Sequence, residues 1–183
     1  MSLYPFADNR LWLQLFLLWL LLIVAPISAA KAAGSYEIGL RVGVDSSRAI
    51  ENYASGEVYF LKNLPWTARL TDNLALKCRF DSGLFYLQAD SEDGAMFAAG
   101  LDLVMTVFNR LEIEAGFRPT WMPDARFGVD DFGGELQFTS HAGMAFIRPP
   151  FVFNYRFQHT SNGGIYDHNP GLNLHLLGIG YRF

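Results

Sequence analysis

Beyond residue 34 the sequence alternates apolar and polar side chains in segment after segment, and the polar positions include charges in mid-segment. Leu111, Ile113, Ala115, Phe117 and Trp121 fall on one parity, with Glu112, Glu114, Arg118 and Thr120 on the other. Leu74, Leu76, Cys78, Phe80, Leu84 and Tyr86 alternate in the same way with Lys77, Arg79 and Asp81. Between Ala95 and Val107, Phe97, Leu101, Leu103, Met105 and Val107 oppose Ala98, Gly100, Asp102 and Thr106. Successive side chains of a strand point to opposite faces, so each segment reads as a two-faced strand. Charges in mid-strand are hard to place in a β-sandwich core. They suit the inside of a small membrane barrel, where lipid-facing and lumen-facing residues alternate.

Eight such strands can be read, near 35–45, 54–64, 74–88, 95–107, 111–121, 135–147, 151–161 and 172–183. Their lengths bracket the roughly 9–11 residues that a tilted membrane strand needs. The fold class that follows is all-β: an eight-stranded antiparallel transmembrane barrel with both termini periplasmic. Longer connections near 46–53, 89–94, 122–134 and 162–171 then share the outer end, and 65–73 fits least well as a connection. A lipocalin-like soluble barrel and a β-sandwich share the alternation. Aromatics at 15% of residues favour the membrane barrel, with Trp66, Trp121, Tyr155 and Tyr181 read as interfacial girdles. A barrel of this size is filled by side chains, and Arg41, Lys77, Arg79, Glu112, Glu114, Arg118, Glu135 and His141 are expected to form its internal charge network.

The first residues have a different character. Arg10, an apolar run from Leu11 to Val24, Pro26 and the small residues around Ala30 and Ala32 make the pattern of a secretory signal peptide. The run is shorter than the roughly 20 apolar residues of a spanning helix. Residues 1–32 are expected to be cleaved as a signal peptide, leaving residues 33–183 as the barrel. The one cysteine, Cys78, excludes an intrachain disulfide and signals no metal-ligand cluster. A net charge of −4 leaves no basic footprint for nucleic acid, and nothing points to an oligomer.

Chemistry concentrates at the C-terminal end. Phe151, Phe153, Tyr155, Phe157, His159 and Ser161 share one face of the seventh strand, and Asn173, His175, Leu177, Ile179, Tyr181 and Phe183 share the outward face of the eighth. His159, Ser161 and Asn173 therefore converge on the barrel exterior near the outer leaflet, where a polar group has no water to satisfy it. Nucleophile (Ser161), general base (His159) and orienting group (Asn173) are the roles such a trio can fill. A pair that only hydrogen-bonds headgroups is the bland alternative.

The segment His159-Thr160-Ser161-Asn162-Gly163-Gly164, followed by Asn169-Pro170-Gly171-Leu172-Asn173, resembles the signature of the lipid A 3-O-deacylase family of outer-membrane barrels. That signature runs H-x-S-N-x-G, then N-x-G-x-E or N-x-G-x-N. Gly133 to Phe138 and Gly143 also resemble the family's sixth strand, and the ending Tyr181-Arg182-Phe183 is similar to the aromatic end of outer-membrane barrels. The resemblance implies a bacterial outer-membrane hydrolase that removes the ester-linked acyl chain at the 3-position of lipid A. No metal or cofactor is implied, and the partner is lipopolysaccharide in the outer leaflet. It implies His159 as base, Ser161 as nucleophile, and Asn162, Gly164 and Asn169 near the oxyanion site. The best-known members carry Glu where this chain has Asn173, and Asp167 is a second candidate for that place. Outer-membrane phospholipase A similarly pairs His and Ser with Asn, so phospholipid hydrolysis is a second reading. A non-catalytic structural or adhesive barrel that has lost its acid is a third.

Overall fold

The computed structural model describes residues 35–46, 53–89, 92–127 and 130–183; the expected signal segment, 1–32, lies outside the described residues. Its elements are β1 (Tyr36–Asp45), β2 (Tyr53–Thr71), β3 (Leu74–Ala89), β4 (Glu92–Val107), β5 (Leu111–Trp121), the short β6 (Arg126–Phe127) and β7 (Asp130–Asp131), β8 (Leu136–Arg148), β9 (Phe151–Ser161) and β10 (Leu172–Arg182). Eight of them close a barrel in the order β1-β10-β9-β8-β5-β4-β3-β2, and β6 and β7 pair as a separate hairpin. Every barrel pairing is antiparallel. This is the expected fold.

Two boundaries differ from the sequence reading. Residues 65–71 continue β2 rather than forming a connection. The ladder with β3 shifts register between Asn63 and Thr67 and again between Arg69 and Thr71. Pro65 lies in the first irregularity, because proline has no N–H to give the ladder and a bulge absorbs it. The expected long connection near 89–94 is also short, since Ala89 pairs directly with Glu92.

The barrel interior has two zones. The zone nearer the termini is ionic. Arg41 pairs with Glu57 at 2.8 Å, Arg118 with Glu57 at 3.0 Å and Asp81 at 3.1 Å, and Arg156 with Asp81 at 2.7 Å and Glu114 at 2.6 Å. Arg79 binds Asp102 at 2.9 Å and also Glu112 and Glu114, and Lys77 meets Glu112 at 2.6 Å. Arg182 bridges Glu37 at 2.7 Å and Glu112 at 2.9 Å. Six cations (Arg41, Lys77, Arg79, Arg118, Arg156, Arg182) thus meet six carboxylates (Glu37, Glu57, Asp81, Asp102, Glu112, Glu114). That balance is what buried charges require, because an unpaired one would be prohibitively desolvated.

Glu135 is not part of this network. β8 begins one residue later, so Glu135 stays exposed and accepts from Trp121 Nε1 at 2.9 Å. Asp81, Asp102 and His141 offer ligand atoms within 4.8 Å of one another, but Arg79, Arg118 and Arg156 already hold both carboxylates. The guanidinium groups already balance the charge of both carboxylates.

Toward the loop end the interior turns apolar. Tyr53, Phe85, Leu87, Met96, Met122, Phe132, Leu172, Leu174 and Leu176 form one buried cluster. Phe132 comes from the segment after β7, so that loop folds into the barrel mouth. Tyr53 anchors it by donating to Asp130 Oδ2 at 2.5 Å.

Candidate active site

On β9 the buried positions are Val152, Asn154, Arg156, Gln158 and Thr160, so the intervening Phe151, Phe153, Tyr155, Phe157, His159 and Ser161 face outward. On β10, Leu172, Leu174 and Leu176 turn inward, which places Asn173 and His175 outside. The usual polarity is inverted here, with leucines inside and Asn and His on the lipid side. Antiparallel pairing sets His159 directly opposite Asn173 on one flank and Ser140 of β8 on the other.

The imidazole is held on one side. His159 Nδ1 and Asn173 Oδ1 lie 2.7 Å apart. With the amide oxygen accepting, the proton sits on Nδ1 and leaves Nε2 as the free base nitrogen. Asn173 is itself fixed through its backbone: its N–H donates to Asp45 Oδ1 at 3.3 Å, and its carbonyl accepts from Ser46 N at 2.8 Å. Gly171 packs against the ring. A Cβ there would come within 3.1 Å of His159 Cε1, and its φ of 72° lies in the left-handed region that glycine adopts without strain. Asp167 makes no hydrogen bond to His159 among the described residues; it lines a separate cleft.

Ser161 lies two residues beyond His159 on the same half-buried outer face. Among the described residues no hydrogen bond joins its Oγ to the imidazole. Two strand residues span about 7 Å between Cβ atoms, and the contacts of the ring run across the ladder to Asn173 and Gly171. A catalytic hydrogen bond of this kind is commonly long without substrate and tightens in the complex.

The loop after Ser161 is ordered by Asn162. Its side chain is buried: Nδ2 donates to Phe132 O at 3.0 Å and His168 O at 2.6 Å, and Oδ1 accepts from Gly164 N at 2.8 Å. Its backbone N–H donates to Asn169 Oδ1 at 3.0 Å. The donors of Asn162 and the N–H of Gly164, expected near the reacting carbonyl, are therefore spent inside the loop, where Asn162 ties the 162–171 loop to the segment carrying Phe132. Gln137 Nε2 supports the same carbonyl of Phe132 at 3.1 Å. Among the described residues, the backbone N–H of Gly163, whose φ is 65°, and the side-chain N–H groups of the exposed Asn169 make no hydrogen bond.

A cleft of about 360 Å³ lies between the two loops, lined by Ala125, Arg126, Asp131, Gly133 and residues 165–168. Gly133 N–H and Arg126 both donate to Asp131 and hold its carboxyl below the ordinary value. None of the three outward site residues lines this cleft. Gly133 and Gly134 are needed here, since a Cβ on either would collide with Tyr166.

Comparison with known proteins agrees with this architecture. The family model for lipid A 3-O-deacylase (PagL) matches residues 35–182. The lipid A deacylase PagL of Bordetella bronchiseptica is 36% identical over 75 residues, which is 40% of this chain and 42% of that protein. The matched region thus spans less than half of that relative's length. A crystal structure of the outer-membrane enzyme PagL superposes with a TM-score of 0.70 at 17% identity, covering 80% of this chain and 99% of that one. A de novo designed transmembrane β-barrel follows at 0.51 and 15% identity, over 84% and 98% of the two chains. The structural matches carry the barrel fold, and the family match extends over nearly all of it: this chain belongs to the lipid A 3-O-deacylase (PagL) family.

Proposed function

We propose that this protein is an outer-membrane hydrolase that releases the ester-linked acyl chain at the 3-position of lipid A, using Ser161, His159 and Asn173 on the lipid-facing side of the barrel. The observation that carries this reading is the 2.7 Å contact of His159 Nδ1 with Asn173 Oδ1 on a mainly apolar exterior, with Ser161 two residues away on the same face. Polar groups exposed to hydrocarbon need a task there.

The chemistry follows from the atoms. Ser161 Oγ attacks the ester carbonyl while Nε2 of His159 takes its proton. Asn173 accepts from Nδ1–H, which fixes the tautomer and stabilises the imidazolium that forms. The developing oxyanion meets the Gly163 N–H and the Asn169 side-chain amide, the donors the loop leaves free. The imidazolium returns its proton to the departing sugar oxygen. Water activated by the same nitrogen then hydrolyses the acyl-serine, releasing a fatty acid and free Ser161. Substrate reaches this face by lateral movement in the outer leaflet, with the loop end of the barrel outward and the termini periplasmic.

The test is mass spectrometry of lipid A from cells expressing the wild type or Ser161→Ala. Loss of one ester-linked chain with the wild type alone is expected. Identical spectra for both, matching the empty vector, would sink the proposal. Release of fatty acid from purified glycerophospholipid with lipid A untouched would move the substrate assignment to phospholipid.

A further inference from the structure

The turnover proposed above ends in hydrolysis of an acyl-serine, which needs a water molecule held on a face that looks onto hydrocarbon. Ser161, His159 and Asn173 leave that task unassigned. Ser161 carries the acyl group at that stage, and Asn173 Oδ1 is taken by His159 Nδ1 at 2.7 Å.

The free nitrogen of the imidazole has a direction. The two ring nitrogens point to nearly opposite sides, so a ring that gives Nδ1 to Asn173 on β10 turns Nε2 away from β10. Gly171, just before β10, packs against Cε1 at the far edge of the ring. Nε2 is therefore presented to the β8 side of the face.

On β8 the residue directly opposite His159 is Ser140. Its neighbours on the outward face are apolar: Phe138 and Ala142 along β8, and Phe117 across on β5. Ser140 is exposed, and among the described residues its hydroxyl makes no hydrogen bond. Alanine would complete this apolar strip without an unmet hydroxyl, so a polar group at this level requires a task.

The ladder fixes the distances. Residues directly opposite stand about 5 Å apart at Cβ, residues two apart on one strand about 7 Å, and diagonal residues about 7–8 Å. Ser140, His159 and Ser161 thus mark a triangle in which Ser140 shares the rung of the base and lies one diagonal from the nucleophile. A water over this triangle reaches Ser140 Oγ and His159 Nε2 at once, beside the carbonyl carbon of an acyl group on Ser161.

We propose that Ser140 holds the water that hydrolyses the acyl-enzyme. The inference rests on the esterase reading of Ser161, His159 and Asn173. The water donates one hydrogen to His159 Nε2 and the other to Ser140 Oγ, which aims a lone pair at the acyl carbon. The new C–O bond forms as Nε2 takes the first proton. The tetrahedral intermediate then collapses with cleavage of the C–O bond to Ser161, whose oxygen takes that proton back from the imidazolium. Attack of Ser161 on the incoming ester uses no water and proceeds without Ser140.

The test uses the purified protein in detergent micelles with 4-nitrophenyl tetradecanoate, whose good leaving group makes deacylation limit turnover. Ser140→Ala should slow the decay of acyl-Ser161 about tenfold, the worth of one net hydrogen bond. Intact-mass measurement on quenched mixtures should then find the acyl-enzyme accumulating. Both kcat and KM should fall together, with kcat/KM at the wild-type value, because kcat/KM covers only the steps through acylation. Ser140→Thr keeps the hydroxyl and should restore fast decay. A wild-type decay rate in Ser140→Ala, or a kcat/KM that falls as far as kcat, would overturn this inference and leave the esterase reading standing. Absence of both turnover and an acyl adduct on Ser161 in the wild type would overturn both.

Discussion

Asn173 stands where the family resemblance leads one to expect an acidic third residue, and exchanging it makes a graded prediction. Its Oδ1 lies 2.7 Å from His159 Nδ1. In the ground state that is a bond between neutral groups, worth about 0.5–1.5 kcal/mol; once the imidazole is protonated it becomes charge-assisted, worth about 1.5–3 kcal/mol. Asn173→Ala removes it and releases the ring to both tautomers. Both residues are half-buried, so screening holds the loss toward the middle of that range. The expected fall in kcat is therefore roughly ten- to hundredfold, at about 1.4 kcal/mol per factor of ten. Asn173→Asp keeps the shape and supplies a full charge, adding about 1 kcal/mol to the imidazolium contact and raising kcat about fivefold. The assay is initial-rate hydrolysis of purified lipid A in micelles, with Ser161→Ala as the blank. An Asn173→Ala enzyme within about twofold of the wild type would refute the orienting role. Activity in Asn173→Asp with none in the parent would mean that this chain is a barrel that has lost its acid.

Gly171→Ala should lower kcat about tenfold, because the new methyl presses to within 3.1 Å of His159 Cε1 at a strained φ of 72°; kinetics beside a melting curve separate this from unfolding. Asn162→Ala should loosen both loops at a cost of about 1–3 kcal/mol, since His168 O loses its donor and Phe132 O keeps only Gln137. Faster hydrogen exchange confined to 126–135 and 162–170 is the signature. Arg156→Met strips the guanidinium from Asp81 and Glu114 and should destabilise the barrel by about 3–5 kcal/mol, read as a lower urea midpoint in micelles.

The barrel is legible in the sequence because few folds besides a membrane barrel place mid-strand charges opposite an apolar face. β5 shows this best, with Glu112, Glu114 and Arg118 all inside. The signal fades where both faces are apolar. Leu84 and Tyr86 point out while Phe85 and Leu87 point in, so alternation cannot show that the loop end of the barrel is plugged by hydrocarbon. Placement of Phe132 in that plug depends on contacts distant in sequence. So does the position of Asn162, whose motif suggests a donor to substrate and whose side chain instead ties two loops together. The outward convergence of His159, Ser161 and Asn173 follows from parity alone, since antiparallel neighbours on one face must meet. Tyr155, grouped from the sequence with the girdle aromatics, is the fifth of eleven residues in β9, a depth that the bounds 151–161 read from the sequence already imply.

The central claim is that Ser161 is a nucleophile reached from the membrane and activated by His159. A long-chain alkyl fluorophosphonate, added to the folded protein in micelles and followed by peptide mass mapping, tests it most directly. The account predicts one covalent adduct, on Ser161, abolished in Ser161→Ala and at least about tenfold slower in His159→Ala, as loss of the general base requires. An unmodified Ser161, or labelling at the same rate without His159, would contradict it.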